Sequence, residues 1–323
     1  MIKIEDVSFN YTGDKTGSNG IKNINLTINK GEFVVLCGKS GCGKTTLTRV
    51  INGLIPHFYE GEMEGSVYID DANITKQSLS DISTLVGSVF QNPKSQFFHV
   101  DTTGELLFGC ENHNMSKELM EERLNETADV LQIRPLLNRN IFELSGGEKQ
   151  QIACGSVYAS DPEIFVMDEP TSNLDRKAIN RLHHILEKLK SDGKTIVISE
   201  HRLYFLIDLA DRFIYVKDGE IAGEYTAEEF REFPNEKLFE MGLRTTDLST
   251  VKGHPLEGKP SKPVVTMSDL SCQRNNSTIL DVDDLKLPKN SVVAFIGDNG
   301  TGKSTLAEAL YGVLGSMGTV SIN

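Results

Sequence analysis

The sequence predicts an α/β fold: a mostly parallel sheet carrying a phosphate-binding loop, followed by a partial second copy of the same pattern. Three observations predict it. Strand-like and helix-like segments alternate through the first third of the 323 residues. Residues 38–45, GKSGCGKT, and 297–304, GDNGTGKS, both fit G-x-x-x-x-G-K-[ST]. Chance supplies that pattern in roughly one chain of this length in a hundred, so two matches mark a repeat. Short continuous apolar runs recur, as in strands buried on both faces.

The elements follow in order. Ile24, Leu26 and Ile28 alternate with polar residues, as on a half-buried strand. Residues 33–37 are an unbroken apolar run, followed by the first glycine loop and a helix over about 45–52. Strand, glycine loop, helix is the context a phosphate loop needs. Residues 116–132 read as a charged amphipathic helix. Ile164, Phe165, Val166 and Met167 form a second buried strand that ends in Asp168 and Glu169. Asp175 is placed to cap a helix with Ile179, Leu182, Leu186 and Leu189 on one face. Residues 195–199 make a third core strand. Segments 213–216 and 220–225 flank an Asp218-Gly219 hairpin turn, and Thr226 with Glu229 matches a capping box.

Composition then changes. Residues 243–263 hold Gly, Pro, Lys and Ser with little apolar content and read as a linker between a complete domain, 1–242, and a fragment, 264–323. The opening pattern returns in that fragment. Asp269-Leu270-Ser271 echoes Asp6-Val7-Ser8, residues 278–287 echo the strand before the first loop, and 318–323 echo 65–70. A fragment of about 60 residues buries too little to be stable alone.

Bulk properties narrow the class. Apolar content of 38% and charged content of 24% suit a globular protein with a core. A net charge of −13 argues against a nucleic-acid surface. No run of 18 apolar residues exists, and the start, MIKIEDVSFN, shows no signal peptide. Five cysteines without a CxxC predict a reduced, cytosolic protein. Cys42 lies near a helix start, where thiol pKa values fall. His183 and His184 are adjacent, so on a helix they diverge and make a poor metal pair.

The chemistry-bearing residues come next. Gly38, Gly41 and Gly43 let backbone N–H groups turn toward phosphate oxygens, and the following helix adds its positive end. Lys44 would reach the β- and γ-phosphates and Thr45 would ligate Mg²⁺. Asp168 is suited to hold Mg²⁺ through water, and Glu169 to take a proton from an attacking water. Leu144, Ser145, Gly146, Gly147, Glu148, Lys149 and Gln150 open a helix whose free N–H groups suit a γ-phosphate. Alone, Ser145 would be read as a simple N-cap.

Together these residues resemble the ATP-binding cassette ATPases. LSGGEKQ is similar to that family's signature, IFVMDEP to its second nucleotide motif, and Ser172-Asn173-Leu174-Asp175 to its D-loop. The resemblance implies a P-loop NTPase core with an antiparallel β lobe at the start and a helical signature lobe over 105–160. It implies ATP as substrate, held by Gly38, Lys39, Ser40, Gly41, Cys42, Gly43, Lys44, Thr45 and Thr46, with Tyr11 stacked on adenine. In the second copy Gly297, Asp298, Asn299, Gly300, Thr301, Gly302, Lys303, Ser304 and Thr305 would do the same, with Ser304 toward Mg²⁺. Gln91, in VFQNPKSQFF, falls at the Q-loop glutamine that approaches Mg²⁺ and senses a transmembrane partner. His201 falls at the switch histidine, and Glu169 at the general base.

The family's units face each other head to tail, each ATP lying between the loop of one and the signature of the other. By that logic the loop at 297–305 pairs with Ser145, Gly146 and Gly147, while the Lys44 site needs a second cassette's signature from elsewhere. Ser199-Glu200-His201-Arg202 and QNPKSQFF resemble the energy-coupling-factor and cobalt-type importer ATPases. That implies a subunit that hydrolyses ATP to power uptake of a small nutrient, such as a vitamin or metal ion. It would sit peripherally at the cytoplasmic face of the membrane and bind no nucleic acid. Two positions depart from the family: Glu148 stands for the common Gln, and Arg274 stands where Tyr11 stands in the first copy. The alternatives are a soluble family ATPase of translation or DNA repair, and a nucleotide-regulated binder without turnover.

Overall fold

The structure, a computed structural model, describes residues 1–13, 20–172, 174–253, 262–274, 277–314 and 317–322. Asn173 of the D-loop-like turn, the Arg274 side chain and residues 254–261 of the expected linker lie outside the described residues. The chain forms two units, Met1–Thr250 and Val251–Asn323.

The first unit opens with an antiparallel pair, β1 (Ile2–Tyr11) and β2 (Gly20–Ile28). Ile24, Leu26 and Ile28 are buried while their polar neighbours are exposed, the alternation of a one-sided sheet. The chain then enters β3 (Phe33–Cys37) and returns to the first sheet as β4 (Gly61–Ile69) and β5 (Ala72–Asn73), giving the order β2-β1-β4-β5. The β1–β4 register shifts between Glu5 and Ser8. There Asp6 has φ 47° and Gly65 has φ 82°. A Cβ on Gly65 would stand 2.4 Å from the Asp6 carbonyl oxygen, so only glycine fits.

The core sheet adds β6 (Val86–Val89), β7 (Ile164–Asp168), β8 (Thr195–Ser199), β9 (Arg212–Lys217) and β10 (Glu220–Thr226) in the order β10-β9-β3-β8-β7-β6. All pairings are parallel except the β9–β10 hairpin. β3 is central and every one of its residues is buried, which explains its unbroken apolar run. Parallel strands deliver their carboxyl ends to one edge, where loops 38–45, 168–171 and 199–202 gather. Open α/β sheets place ligands at that edge.

Helices Thr102–Asn112, Lys117–Val130 and Gly146–Ala159 form the helical lobe. The last is buried along nearly its whole length. Asp175 caps the Arg176–Ser191 helix by accepting from the Ala178 N–H, and Ile179, Leu182, Leu186 and Leu189 are buried.

The boundary differs from the expected 242/243. Leu243 and Thr245 are buried in the first unit, and the 3₁₀ turn Leu248–Thr250 belongs to it as well. Low apolar content suggested a linker, but one leucine suffices to anchor the segment: a buried leucine contributes roughly 1.5–3 kcal/mol.

The second unit repeats the first sheet's plan. β11 (Pro263–Arg274), β12 (Ser277–Pro288) and β13 (Met317–Ile322) are antiparallel in the order β12-β11-β13, matching β2-β1-β4. Asp269 and Gly318 reproduce the Asp6 and Gly65 bulge, with φ 51° and 97°. Residues 291–297, the counterpart of β3, are not a strand; Val292 and Ile296 are exposed. In the first unit β8 and β9 flank β3, and among the described residues of the second unit no strand pairs with this segment.

Candidate functional site

The first loop runs from the end of β3 into the Lys44–Ile51 helix, with Gly43 at the N-cap in the left-handed region. Lys44 is buried, and its Nζ donates to the carbonyl oxygens of Gly38 (3.0 Å) and Lys39 (3.1 Å). The second loop has the same internal geometry: Lys303 Nζ donates to the Gly297 (2.8 Å) and Asp298 (2.5 Å) carbonyls, and Gly302 caps the Lys303–Tyr311 helix. Thr301 Oγ1 also donates to Asp298 O, while Ser304 is exposed and Thr305 half-buried.

Two acids arrive from β7. Asp168 Oδ1 accepts from Thr45 Oγ1 (3.1 Å) and from Ser199 Oγ (2.6 Å). Glu169 has φ 44°, a strained backbone for a side chain of this kind. Its N–H donates to Ser199 O (2.9 Å), which holds the strained residue in place. His201 Nε2 lies 3.0 Å from Glu169 Oε1, 3.4 Å from Ser40 Oγ and 3.5 Å from Lys44 Nζ. Lys44 Nζ lies 4.0 Å from Glu169 Oε1, and Gln91 Nε2 donates to Glu169 Oε2 at 3.1 Å. The His201 hydrogen bond, with the His201, Lys44 and Arg244 charges, outweighs burial and holds the Glu169 carboxyl below its usual range. Glu169 is therefore ionised at neutral pH and able to accept a proton.

The remaining expected residues divide. Tyr11 reaches the loop helix, with its hydroxyl 3.3 Å from Thr46 Oγ1 and accepting from Arg49 at 2.8 Å. Lys39 packs its stem against Gly242. Ser145 and Gly146 are exposed, and among the described residues no hydrogen bond joins them to Lys44, Glu169 or His201; Gly147 is buried. Ser145 caps the Gly146–Ala159 helix in a full capping box with Glu148, which also pairs with Arg139 at 3.4 Å. The box accounts for an acid where the family has Gln. At Cys42 burial pushes the thiol up, against the Lys44 charge, so the helix start does not activate it. His183 and His184 do come together with Glu187 on an exposed helix face, their ligand atoms within 4.8 Å.

Sequence reasoning missed Ser199 and Glu200 as individual residues. Ser199 joins both acids. Glu200 is 2% exposed and accepts hydrogen bonds at both oxygens. Their one sequence signal was position, immediately before His201. Beside the cluster lies a groove of about 580 Å³ lined by Arg49, Phe58, Tyr59, Phe90, Gln91 and Phe98. Phe58 and Phe98 are exposed.

Known proteins share this arrangement. The family model described as ABC transporter matches residues 21–172 and 280–323. An ABC transporter ATP-binding protein of Treponema denticola is 43% identical over 319 residues, covering 97% of this chain and 65% of that protein. The chain thus spans less than two thirds of that relative's length. One from Pyrococcus abyssi is 37% identical over 246 residues, covering 76% of this chain and 86% of that one. The ATP-binding cassette MJ0796, solved as a post-hydrolysis dimer bound to ADP and Pi, aligns with TM-score 0.61 and 29% identity over 70% of this chain and 99% of its own. The fold is that of the ABC cassette ATPases, and the chain belongs to the ABC transporter family.

Proposed function

We propose that this chain is an ATP-hydrolysing subunit that powers a membrane importer of the energy-coupling-factor type, taking up a small nutrient such as a vitamin or metal ion. One observation carries the reading: Lys44, Glu169 and His201 meet within 4.0 Å at the ends of three parallel strands. Lys44 exchanges loop carbonyls for β- and γ-phosphate oxygens, with the backbone N–H groups of 38–46 around them. Glu169, ionised and braced by Ser199, accepts the proton of the attacking water. His201 contacts the γ-phosphate and keeps Glu169 oriented. Tyr11 provides the aromatic surface for adenine.

Thr45, Asp168 and Gln91 offer hydroxyl, carboxylate and amide oxygens, the hard donors that suit Mg²⁺; bound there, Mg²⁺ neutralises charge on the transferred phosphate. Ser304 is the corresponding hydroxyl in the second loop.

The second unit is the start of another cassette, supported by its repeated strand order and loop geometry. Gly297, Asp298, Asn299, Gly300, Thr301, Gly302, Lys303, Ser304 and Thr305 cradle a second ATP. Ser145, Gly146 and Gly147, whose exposed cap leaves donors outward, close on the γ-phosphate held by a facing cassette. The aromatic groove at Gln91 receives a transmembrane subunit, which favours transport over a soluble role in translation or DNA repair. Such a subunit would attach peripherally at the cytoplasmic face; no helix among the described residues is long and apolar enough to cross a membrane.

The test is Glu169→Gln. ATP binding should persist while kcat falls by about 10²–10⁴, the usual worth of a general base. Normal turnover in this variant would remove Glu169 from the role.

A further inference from the structure

Glu200 is a buried carboxylate, and among the described residues no Lys, Arg or His forms an ion pair with it. Oε1 accepts from the Thr171 N–H (2.9 Å) and the Thr171 hydroxyl (2.5 Å). Oε2 accepts from the backbone N–H groups of His201 (2.9 Å) and Arg202 (3.2 Å). Burial pushes the carboxyl up from its ordinary value. A buried acid costs free energy unless its hydrogen bonds do something a neutral residue cannot. Here four donors from two separate segments converge on one side chain. Only a group with two acceptor oxygens satisfies them, because each donor pair faces a different oxygen.

The two segments are the functional ones. Thr171 lies two residues after Glu169, on the turn that leaves β7. His201 and Arg202 follow β8. Arg202 adds a second tie, donating from Nη1 to Leu174 O at 3.1 Å. His201 is thus bracketed by two residues that both grip 171–174. Its Nε2 meets Glu169 at 3.0 Å on the other side of the same turn.

We propose that Glu200 is a positioning residue, whose shared carboxylate locks the histidine loop to the turn behind Glu169 and so sets the His201–Glu169 pair beside Lys44. It touches no reacting atom. It rests on the hydrolytic reading of the site only for its effect on turnover.

Glu200→Gln tests it in the full chain. The amide keeps the volume but turns one acceptor into a donor that faces N–H groups. Misplacement of a reacting group by about 1 Å costs about a hundredfold, so kcat should fall by roughly ten- to a hundredfold. KM for ATP should stay within about twofold, since Lys44 and the loop are untouched. Thr171→Val, which removes one donor and keeps the shape, should lower kcat less. Combining Glu200→Gln with His201→Ala should be no worse than His201→Ala alone, as expected if one acts through the other. Wild-type kcat in Glu200→Gln, or losses that add in the double variant, would overturn the proposal. A readout independent of turnover is the His201 ring resonance, assigned by its loss in His201→Ala. It should shift in Glu200→Gln, and an unmoved resonance also overturns the proposal. If the wild-type chain hydrolyses no ATP while the resonance still shifts in Glu200→Gln, the hydrolytic reading fails and the Glu200 lock stands.

Discussion

Glu169 gathers the site's electrostatics in one side chain. It accepts from His201 and Gln91 and faces Lys44, and its carboxyl is held below the usual glutamate range chiefly by the His201 hydrogen bond. The sign follows from linkage. A depressed folded-state pKa contributes stability that is present above the unfolded value and is lost as pH falls through the folded one. Replacing His201 by alanine removes the main cause and brings the folded value back toward the unfolded one, so the stability lost on acidification should be smaller in His201→Ala than in wild type. Urea unfolding at a series of acidic pH values measures this; identical acid limbs would contradict the assignment. Lys44, Thr45, Asp168 and Glu169 were legible in the sequence because a phosphate loop and a strand-end acid pair are local patterns. Ser199 and Glu200 were not. Their roles depend on Asp168 standing opposite Ser199 in the β7–β8 register, a pairing between distant segments. At Cys42 local position favours a low thiol pKa, and burial by distant segments outweighs it.

At the scale of elements, the proposed function gives the N-cap of the Gly146–Ala159 helix a second role beside capping. Ser145 Oγ accepts from the Glu148 N–H, and Glu148 returns a bond to the Ser145 N–H. This cap is worth about 1 kcal/mol. Capping and phosphate contact separate by substitution. Ser145→Asp keeps a good N-cap but places a negative charge toward a facing γ-phosphate. Its melting temperature should match wild type while ATP turnover is abolished; Ser145→Ala should lose stability as well. Retained turnover in Ser145→Asp would leave the serine as a cap alone. Amphipathic helices such as Arg176–Ser191 could be read from their apolar spacing. The Gly146–Ala159 helix could not, since burial on nearly every side leaves no polar stripe to set a period. Only its start was marked, by the Ser145 cap pattern.

For the whole molecule, the division at Thr250 makes Leu243 part of a core rather than a tether. Leu243→Ala should destabilise the first unit by about 2–5 kcal/mol, as a core truncation does. A linker residue would cost almost nothing, so a denaturation midpoint equal to wild type would restore the earlier boundary. The repeat was visible in sequence at both loops and at the Asp6/Asp269 echo, because bulges and glycine cradles demand particular residues. The fate of 291–297 was not, since a strand exists only when its neighbours do.

All five cysteines are buried free thiols. Cys37, Cys42, Cys110 and Cys154 belong to the first unit and Cys272 to the second. Brief pulses of iodoacetamide, read peptide by peptide in a mass spectrometer, would therefore time the opening of each unit separately within one unmodified polypeptide. Nucleotide added before the pulse would reveal which of the two it slows.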